Sequence, residues 1–180
     1  MIVEMRAKLY LCVVLLLAPV ARAETPRSFN VPDHGTLHVT APQHWTDRME
    51  APRGLPPTVE LTDSKNKMLL LLTPLWSSAG DPQFNTAEAI RAGIERAAHR
   101  AQESSVEKEL PLREIETADG KGYYFSATDR APAEGEYEYM AGGAVPVGDL
   151  VVSFTVLTHV APPEGIAEAL AIVRTATQKK

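Results

Sequence analysis

The 180-residue sequence predicts an α+β fold, a three-layer α/β/α sandwich around a mainly antiparallel β-sheet. Two runs, residues 67–73 and 150–157, carry apolar side chains on both alternating faces, which is typical of strands that are covered on both sides. Two further segments repeat apolar residues at helical spacing and supply the outer layers. The other predicted strands are short and separated by turn residues, which favours antiparallel neighbours.

The N-terminus predicts a secretory signal peptide over residues 1–23. Arg6 and Lys8 precede an apolar run, residues 9–20, and residues 21–23 (Ala-Arg-Ala) supply the small residues that signal peptidase requires. The run has twelve residues, fewer than the roughly 18 of a spanning helix. We therefore predict a periplasmic or secreted protein, cleaved after the last of these alanines, with no membrane span after cleavage.

Cysteine content and charge restrict the possible stabilising bonds and partners. The single cysteine, Cys12, lies in the apolar run, so the cleaved chain would contain no disulfide. Residues 1–23 hold three basic residues and one acidic residue, so their removal changes the net charge from −5 to −7. This acidic balance, with basic residues scattered along the chain, argues against a nucleic-acid partner.

One domain is predicted over residues 29–176, between a flexible tail (24–28) and a C-terminal tail (177–180). Its first half reads as strands because apolar and polar residues alternate between turn signals. These strands cover residues 29–31, 36–41, 58–62 and 67–73.

Two helices follow from apolar stripes at helical spacing. Asn85 and Glu88 resemble a capping box, and Ile90, Ile94 and Ala98 recur on one face of the helix that follows. The second stripe, which follows Pro163, consists of Ile166, Ala169, Leu170 and Val173.

Residues 121–139 form a β-hairpin arm in this prediction, because acids and aromatics alternate there as on half-buried strands. The neighbouring strands cover residues 110–117, 122–128, 135–145 and 150–157. Asp119-Gly120 predicts a tight hairpin, and Gly142-Gly143 predicts a bulge. Leu70 and Phe154 are predicted to lie in the core of the sheet.

The carboxylates Asp129 and Glu134 flank the loop of this arm. Together with His34 they define an alternative function, a hydrolase. No nucleophile or basic partner accompanies them in the sequence, and acids in loops are usually solvated. We therefore predict no catalytic residue and interpret both carboxylates as surface groups.

Three histidines, His34, His38 and His44, define a second alternative, a carrier of a metal ion or small ligand. Four residues along a strand separate two side chains by about 13 Å, too far for one ion to bridge. We accordingly predict no metal ligand and no cofactor.

Three aromatic residues, Trp45, Trp76 and Tyr124, are candidates for a protein-binding surface, because aromatic anchors dominate interface energies. Both tryptophans are expected in loops after strands. The alternative is that all three plug the core of the sheet.

Several segments together are similar to the Mog1/PsbP-like superfamily, in particular its small exported bacterial PsbP-related proteins. They read FNVPDHGTLHVTAPQHW (29–45), LLLLTPL (69–75), GYYFSATD (122–129), GEYEYMAGG (135–143) and VGDLVVSFTVL (147–157). The resemblance implies an α/β/α sandwich and a non-enzymatic accessory or binding protein that assists another envelope protein. No partner-binding residue of that superfamily is matched position by position.

Overall fold

The computed structural model describes residues 23–63 and 67–180, so Cys12 and almost all of the predicted signal peptide lie outside the described residues. The strands are β1 (Glu24–Val31), β2 (Gly35–Pro42), β3 (Trp45–Glu50), β4 (Thr58–Asp63), β5 (Met68–Leu75), β6 (Arg113–Thr117), β7 (Gly120–Thr128), β8 (Tyr139–Val147), β9 (Leu150–Thr158) and β10 (Thr177–Lys179). The helices are α1 (Ala87–Ala101) and α2 (Glu164–Arg174). Among the described residues, no helix is both long and apolar enough to cross a membrane.

The strands form two antiparallel sheets. The larger sheet has seven strands in the order β3-β4-β5-β9-β8-β7-β6, and the smaller has three in the order β1-β2-β10. Helix α1 packs on β7 and β8, whereas α2 contacts β6, β9 and β2 on the opposite side. The predicted three-layer α+β arrangement is confirmed, and the small sheet is an unpredicted part of the α2 layer.

Each face of the large sheet has its own hydrophobic cluster. The larger cluster lies toward α2 and the small sheet and contains Leu70 and Phe154, which are 0% and 1% exposed. The second cluster lies under α1 and joins Ile90 and Ile94 to Tyr123 and Phe125 of β7. The prediction that Leu70 and Phe154 lie in the core is confirmed.

Gly143 does not form the predicted bulge. The pairing of β8 with β7 and with β9 runs through it without interruption, opposite Tyr124 and Phe154. A Cβ atom at this position would overlap the Phe154 ring and Cβ of Tyr124. The glycine is therefore required by the close approach of an aromatic ring, and the strand stays regular.

Two segments that we expected to be tails are strands. Residues 24–28 begin β1, which pairs with β2 from Glu24 opposite Pro42 to Val31 opposite Gly35. Residues 177–179 form β10 on the other edge of β2. Both corrections have one cause. Strands β1 and β10 form their backbone hydrogen bonds with β2, whose sequence alternates strongly. Because the pairing comes from β2, the sequences of β1 and β10 can be polar.

The start of α1 also differs from the sequence prediction. Thr86 is the N-cap, and its Oγ1 accepts a hydrogen bond from the Ala89 backbone N at 3.3 Å. The predicted cap, Asn85, instead donates from Nδ2 to the carbonyl oxygen of Gly148 at 2.8 Å. Its side chain therefore ties the start of the helix to the turn between β8 and β9.

Of the predicted hairpin arm, residues 129–138 are the loop that joins β7 to β8, and the name arm is kept for this loop. Strand β8 begins at Tyr139. Glu107 holds the base of the arm, because its carboxylate accepts from the Thr128 backbone N at 2.9 Å and from Thr128 Oγ1 at 2.7 Å. Burial alone would raise the pKa of Glu107, but these hydrogen bonds outweigh it and lower the pKa. The ionised carboxylate thus fastens residues 103–112 to the end of β7.

Candidate functional site

One end of the sandwich, which we call the loop end, gathers the β1–β2 turn, the β8–β9 turn and β10. Gln178 of β10 links the two turns through both atoms of its side-chain amide. Its Nε2 donates to the His34 carbonyl at 2.7 Å, and its Oε1 accepts from the Asp149 backbone N at 2.9 Å. In addition, the Gly148 backbone N donates to Asp119 Oδ2 at 2.8 Å. Side chains thus hold the loop end as one frame.

Trp76 lies within this frame, directly after β5. Its indole stacks on the His34 ring with centroids 4.6 Å apart and an interplanar angle of 29°. It is half-buried and packs against the larger hydrophobic cluster, while residues 78–83 that follow it are exposed. The left-handed backbone of Asp33 (φ 64°) shapes the turn that carries His34. The pair is therefore an ordered aromatic feature beside an exposed loop.

The other two aromatic candidates are core residues, as in the alternative that they plug the core of the sheet, so they do not form a binding surface. Trp45 is 1% exposed, begins β3, and donates from Nε1 to Glu168 Oε1 at 2.7 Å. Tyr124 is 8% exposed, and its ring centroid lies 6.5 Å from that of Phe154. Both faces of β7 carry a packed layer, so both Tyr124 and its neighbours on the opposite face are buried.

The three residues of the hydrolase alternative do not assemble. Asp129 and Glu134 are exposed residues of the arm, and Asp129 Oδ1 accepts from the Ala131 backbone N at 2.9 Å. The arm and the loop end lie at opposite ends of β8, whose nine residues span about 27 Å. His34, at the loop end, is too distant to act on the same bond as the carboxylates.

The three histidines of the carrier alternative lie in separate environments. His38 Nδ1 is 2.8 Å from Oγ of Ser28, its cross-strand neighbour, and His44 Nε2 is 3.1 Å from Glu168 Oε1. Within residues 23–63 and 67–180, no group of three His, Cys, Asp or Glu side chains is arranged to hold a metal ion. The spacing that suggested a shared site therefore reflects two turn positions, His34 and His44, and one strand position, His38.

A cleft of about 350 Å³ lies beside the start of α2, on the side of the sheet away from α1. Its lining is completed by alanines and prolines, and its polar residues are Glu107, Glu109, Arg113, Ser126, Thr128 and Tyr139. Glu107 is already engaged by Thr128. The small-ligand alternative stays a prediction.

The sequence could not reveal the contact between Trp76 and His34. The two residues are 42 positions apart, and neither belongs to a motif with a known spacing. They meet because β5 ends beside the turn of the small sheet. Only the pairing of β5 with β9, and of β2 with β10, brings them to the same end of the molecule.

Comparisons with known proteins support the fold. The chain is similar to the solution structure of cyanobacterial PsbP (CyanoP) from Synechocystis sp. PCC 6803, with a TM-score of 0.54 and 10% identity over 90% of this chain and 96% of that one. It is also similar to a crystal structure from Bacteroides thetaiotaomicron VPI-5482, with a TM-score of 0.50 and 15% identity over 80% of this chain. The match spans 45% of that second protein.

No family model matches the sequence, and no curated protein matches it significantly. At such low identities the structural matches establish the fold alone. The fold is PsbP-like, as the resemblance in the sequence implied.

Proposed function

We propose that this chain is an exported, non-enzymatic accessory protein that binds another envelope protein through its loop end. The observation that carries the proposal is the Trp76–His34 stack, half-buried and held in a frame of side-chain hydrogen bonds. An ordered aromatic side chain loses little conformational entropy on binding, which makes it an efficient anchor at an interface.

The remaining support comes from the fold and from the N-terminal sequence. A fold shared with CyanoP is consistent with an accessory role, and the pattern over residues 1–23 favours export. The carboxylates and histidines considered for catalysis lie apart. A catalytic function would require these groups to meet at one site, whereas protein binding does not require it.

The test places a photo-crosslinking amino acid at Ser78, which is exposed next to Trp76, and at Glu103, which is exposed beyond the far end of α1. Crosslinking is carried out in cells, and the envelope fraction is analysed. We expect a partner adduct from position 78 and none from position 103. Protein recovered from this fraction should begin at Glu24.

Trp76→Ala should reduce the adduct at position 78 at least tenfold, because loss of an interface anchor costs about 2 kcal/mol or more. His34→Ala, which removes the stacking partner, should have a smaller effect in the same direction. Thermal unfolding of both variants checks that the domain is intact. A folded Trp76→Ala variant with undiminished crosslinking contradicts binding at the loop end.

A further inference from the structure

The α1 side of the large sheet is only partly covered. Seven strands at the usual spacing place the outermost strands about 29 Å apart, whereas a helix with its side chains is about 10–12 Å wide. Helix α1 packs on β7 and β8. In the described chain no other helix lies on this side; near the loop end Val151 of β9 and Leu75 of β5 join the cluster under α1, and the rest of β9 and β5, with β4 and β3, has no helix above it.

This open area contains three leucines, Leu69, Leu71 and Leu157, which we call the leucine strip. They are half-buried, and neither hydrophobic cluster includes them. A solvated face of an antiparallel sheet normally carries polar residues. The sequence prediction that β5 is covered on both faces therefore needs correction: within the described residues a layer covers the Leu70 face but not the strip.

The leucine strip continues the hydrophobic cluster under α1. Leu69 pairs with Leu157, and Leu157 pairs with Met140, which packs against that cluster. Two residues further along β5, Leu71 lies on the same face, between Thr155 of β9 and Glu60 of β4. The apolar surface thus runs outward from beneath the helix to the third strand from the β3 edge.

The hairpin arm borders one end of the strip. Tyr137 stacks on His159, with ring centroids 4.6 Å apart, and lies with Leu157 around a small crevice at the base of the arm. Burial, followed by the nearby charges of Asp63 and Glu60, raises the pKa of Tyr137. The tyrosine therefore lies close to β4, at the end of the open area.

The flank of α1 toward β9 is basic. Its other flank, with Glu95, His99 and Gln102, faces residues 109–112. By helical periodicity, Arg96 and Arg100 lie one turn apart on the outer surface of α1, on its β9 side, where they share a shallow surface depression with Glu95 and His99. Both arginines are exposed, and among the described residues neither has an ion-pair partner.

At the opposite border of the strip, on β3 and β4, positively and negatively charged side chains pair with one another. Arg48 of β3 pairs with Glu60 at 2.6 Å and with Glu50 at 3.3 Å. The unpaired positive charge beside the strip is therefore concentrated on α1. A ligand that follows the strip would meet apolar side chains below it and cations along one side.

From this arrangement we propose that the leucine strip binds an amphipathic helix of a partner protein, with acidic residues along the margin that faces Arg96 and Arg100. A helix laid beside α1 buries its apolar face on the leucines and completes the layer. This surface is distinct from the loop end, so the inference goes beyond the proposed function.

A second copy of the chain is a poorer occupant. Four strands of about six residues offer a face of about 19 by 20 Å, or about 400 Å². A stable interface needs about 800 Å² from each partner. One helix fits this area, whereas packing one sheet on another leaves it too small.

The experiment measures binding of two designed helical peptides of about 18 residues, which span about 27 Å. One carries a leucine stripe with a glutamate margin, and the other has lysines in place of those glutamates. Binding is followed by fluorescence anisotropy on the chain from Glu24 to Lys180. We expect the acidic peptide to bind and the basic peptide to bind at least about tenfold more weakly.

Three variants locate the site. The double reversal Arg96→Glu with Arg100→Glu should exchange the two peptide preferences, and Leu71→Thr should weaken binding of the acidic peptide about tenfold. Arg174→Glu, a charge reversal at one arginine on α2 across the sheet, is the control and should leave binding unchanged. Circular dichroism and thermal unfolding establish that each variant is folded.

Several outcomes would overturn the inference. These are no binding of the acidic peptide, equal weakening by Arg174→Glu, or an unchanged preference in the double reversal. Vesicles of acidic phospholipid that bind the chain, with the same dependence on Arg96 and Leu71 but no peptide binding, would assign the strip to a membrane. A dimer in sedimentation that Leu71→Thr dissociates would assign it to a second copy.

Discussion

Single residues of this protein are tightly constrained where an aromatic ring crosses a strand. Replacing Gly143 with Ala adds a Cβ that overlaps the Phe154 ring in a packed core. We expect a loss of about 1–3 kcal/mol in the free energy of unfolding, because overpacking displaces neighbouring side chains. Urea unfolding followed by tryptophan fluorescence measures it.

Gly93→Ala is the matched control for this substitution. Gly93 lies within α1, and a Cβ there meets only the end of the Arg96 side chain, at 4.0 Å. Alanine is the better helix former, so this variant should be more stable by about 0.5–1 kcal/mol. A Gly143→Ala variant as stable as the native protein would show that the Phe154 ring can move away.

At the same scale, the sequence predicted which residues share a face but not what covers that face. Alternation correctly separated Tyr123 and Phe125 from Tyr124. It could not distinguish a solvated face from a packed one, because that depends on layers supplied by distant segments. Trp45 was misjudged for the same reason, since its partner Glu168 lies on α2.

Whole elements were predictable where their own side chains form the core. The alternating strands β2, β7 and β9 and both helices follow from apolar periodicity. Strands β1, β3 and β10 were missed in whole or in part because they are edge strands, rich in polar residues. Their backbone hydrogen bonds come from neighbours distant in sequence, and no local pattern records that pairing.

The short strand β10 provides a test of how much such an element contributes. Removing residues 177–180 deletes its pairing with β2 and the two hydrogen bonds of Gln178. At about 1 kcal/mol for each hydrogen bond, we expect a loss of about 2–4 kcal/mol, measured as the free energy of unfolding in urea.

Removing Lys180 alone is the control for this truncation. It deletes only an exposed ion pair with Asp149, which should contribute less than about 1 kcal/mol. Equal stabilities of the two truncated chains would mean that β10 adds nothing beyond that ion pair.

The molecule as a whole depends on a cluster that both sheets share. Phe29 and Leu37 of the small sheet lie in the same cluster as Leu61 of the large sheet and Ile172 of α2. Neither sheet can separate without exposing the apolar face of the other. We therefore expect the chain from Glu24 to Lys180 to unfold as one domain.

The measurement compares urea unfolding followed by tryptophan fluorescence with unfolding followed by circular dichroism. The two curves should coincide, as they do for most single domains of this size. Separate midpoints would show that the small sheet, with its strands β1, β2 and β10, unfolds independently.

The three-stranded sheet also determines how the domain responds to tension. Strands β1 and β10 both run antiparallel to β2, which lies between them, so the chain enters at one end of this sheet and leaves at the other. A force that pulls the two ends of the domain apart acts along the strands, whereas the hydrogen bonds run across them. The bonds are then loaded in shear, all together, and cannot open one by one. Eight residue pairs hold β1 but only three hold β10, so the C-terminal strand is the first that a mechanical pull would detach.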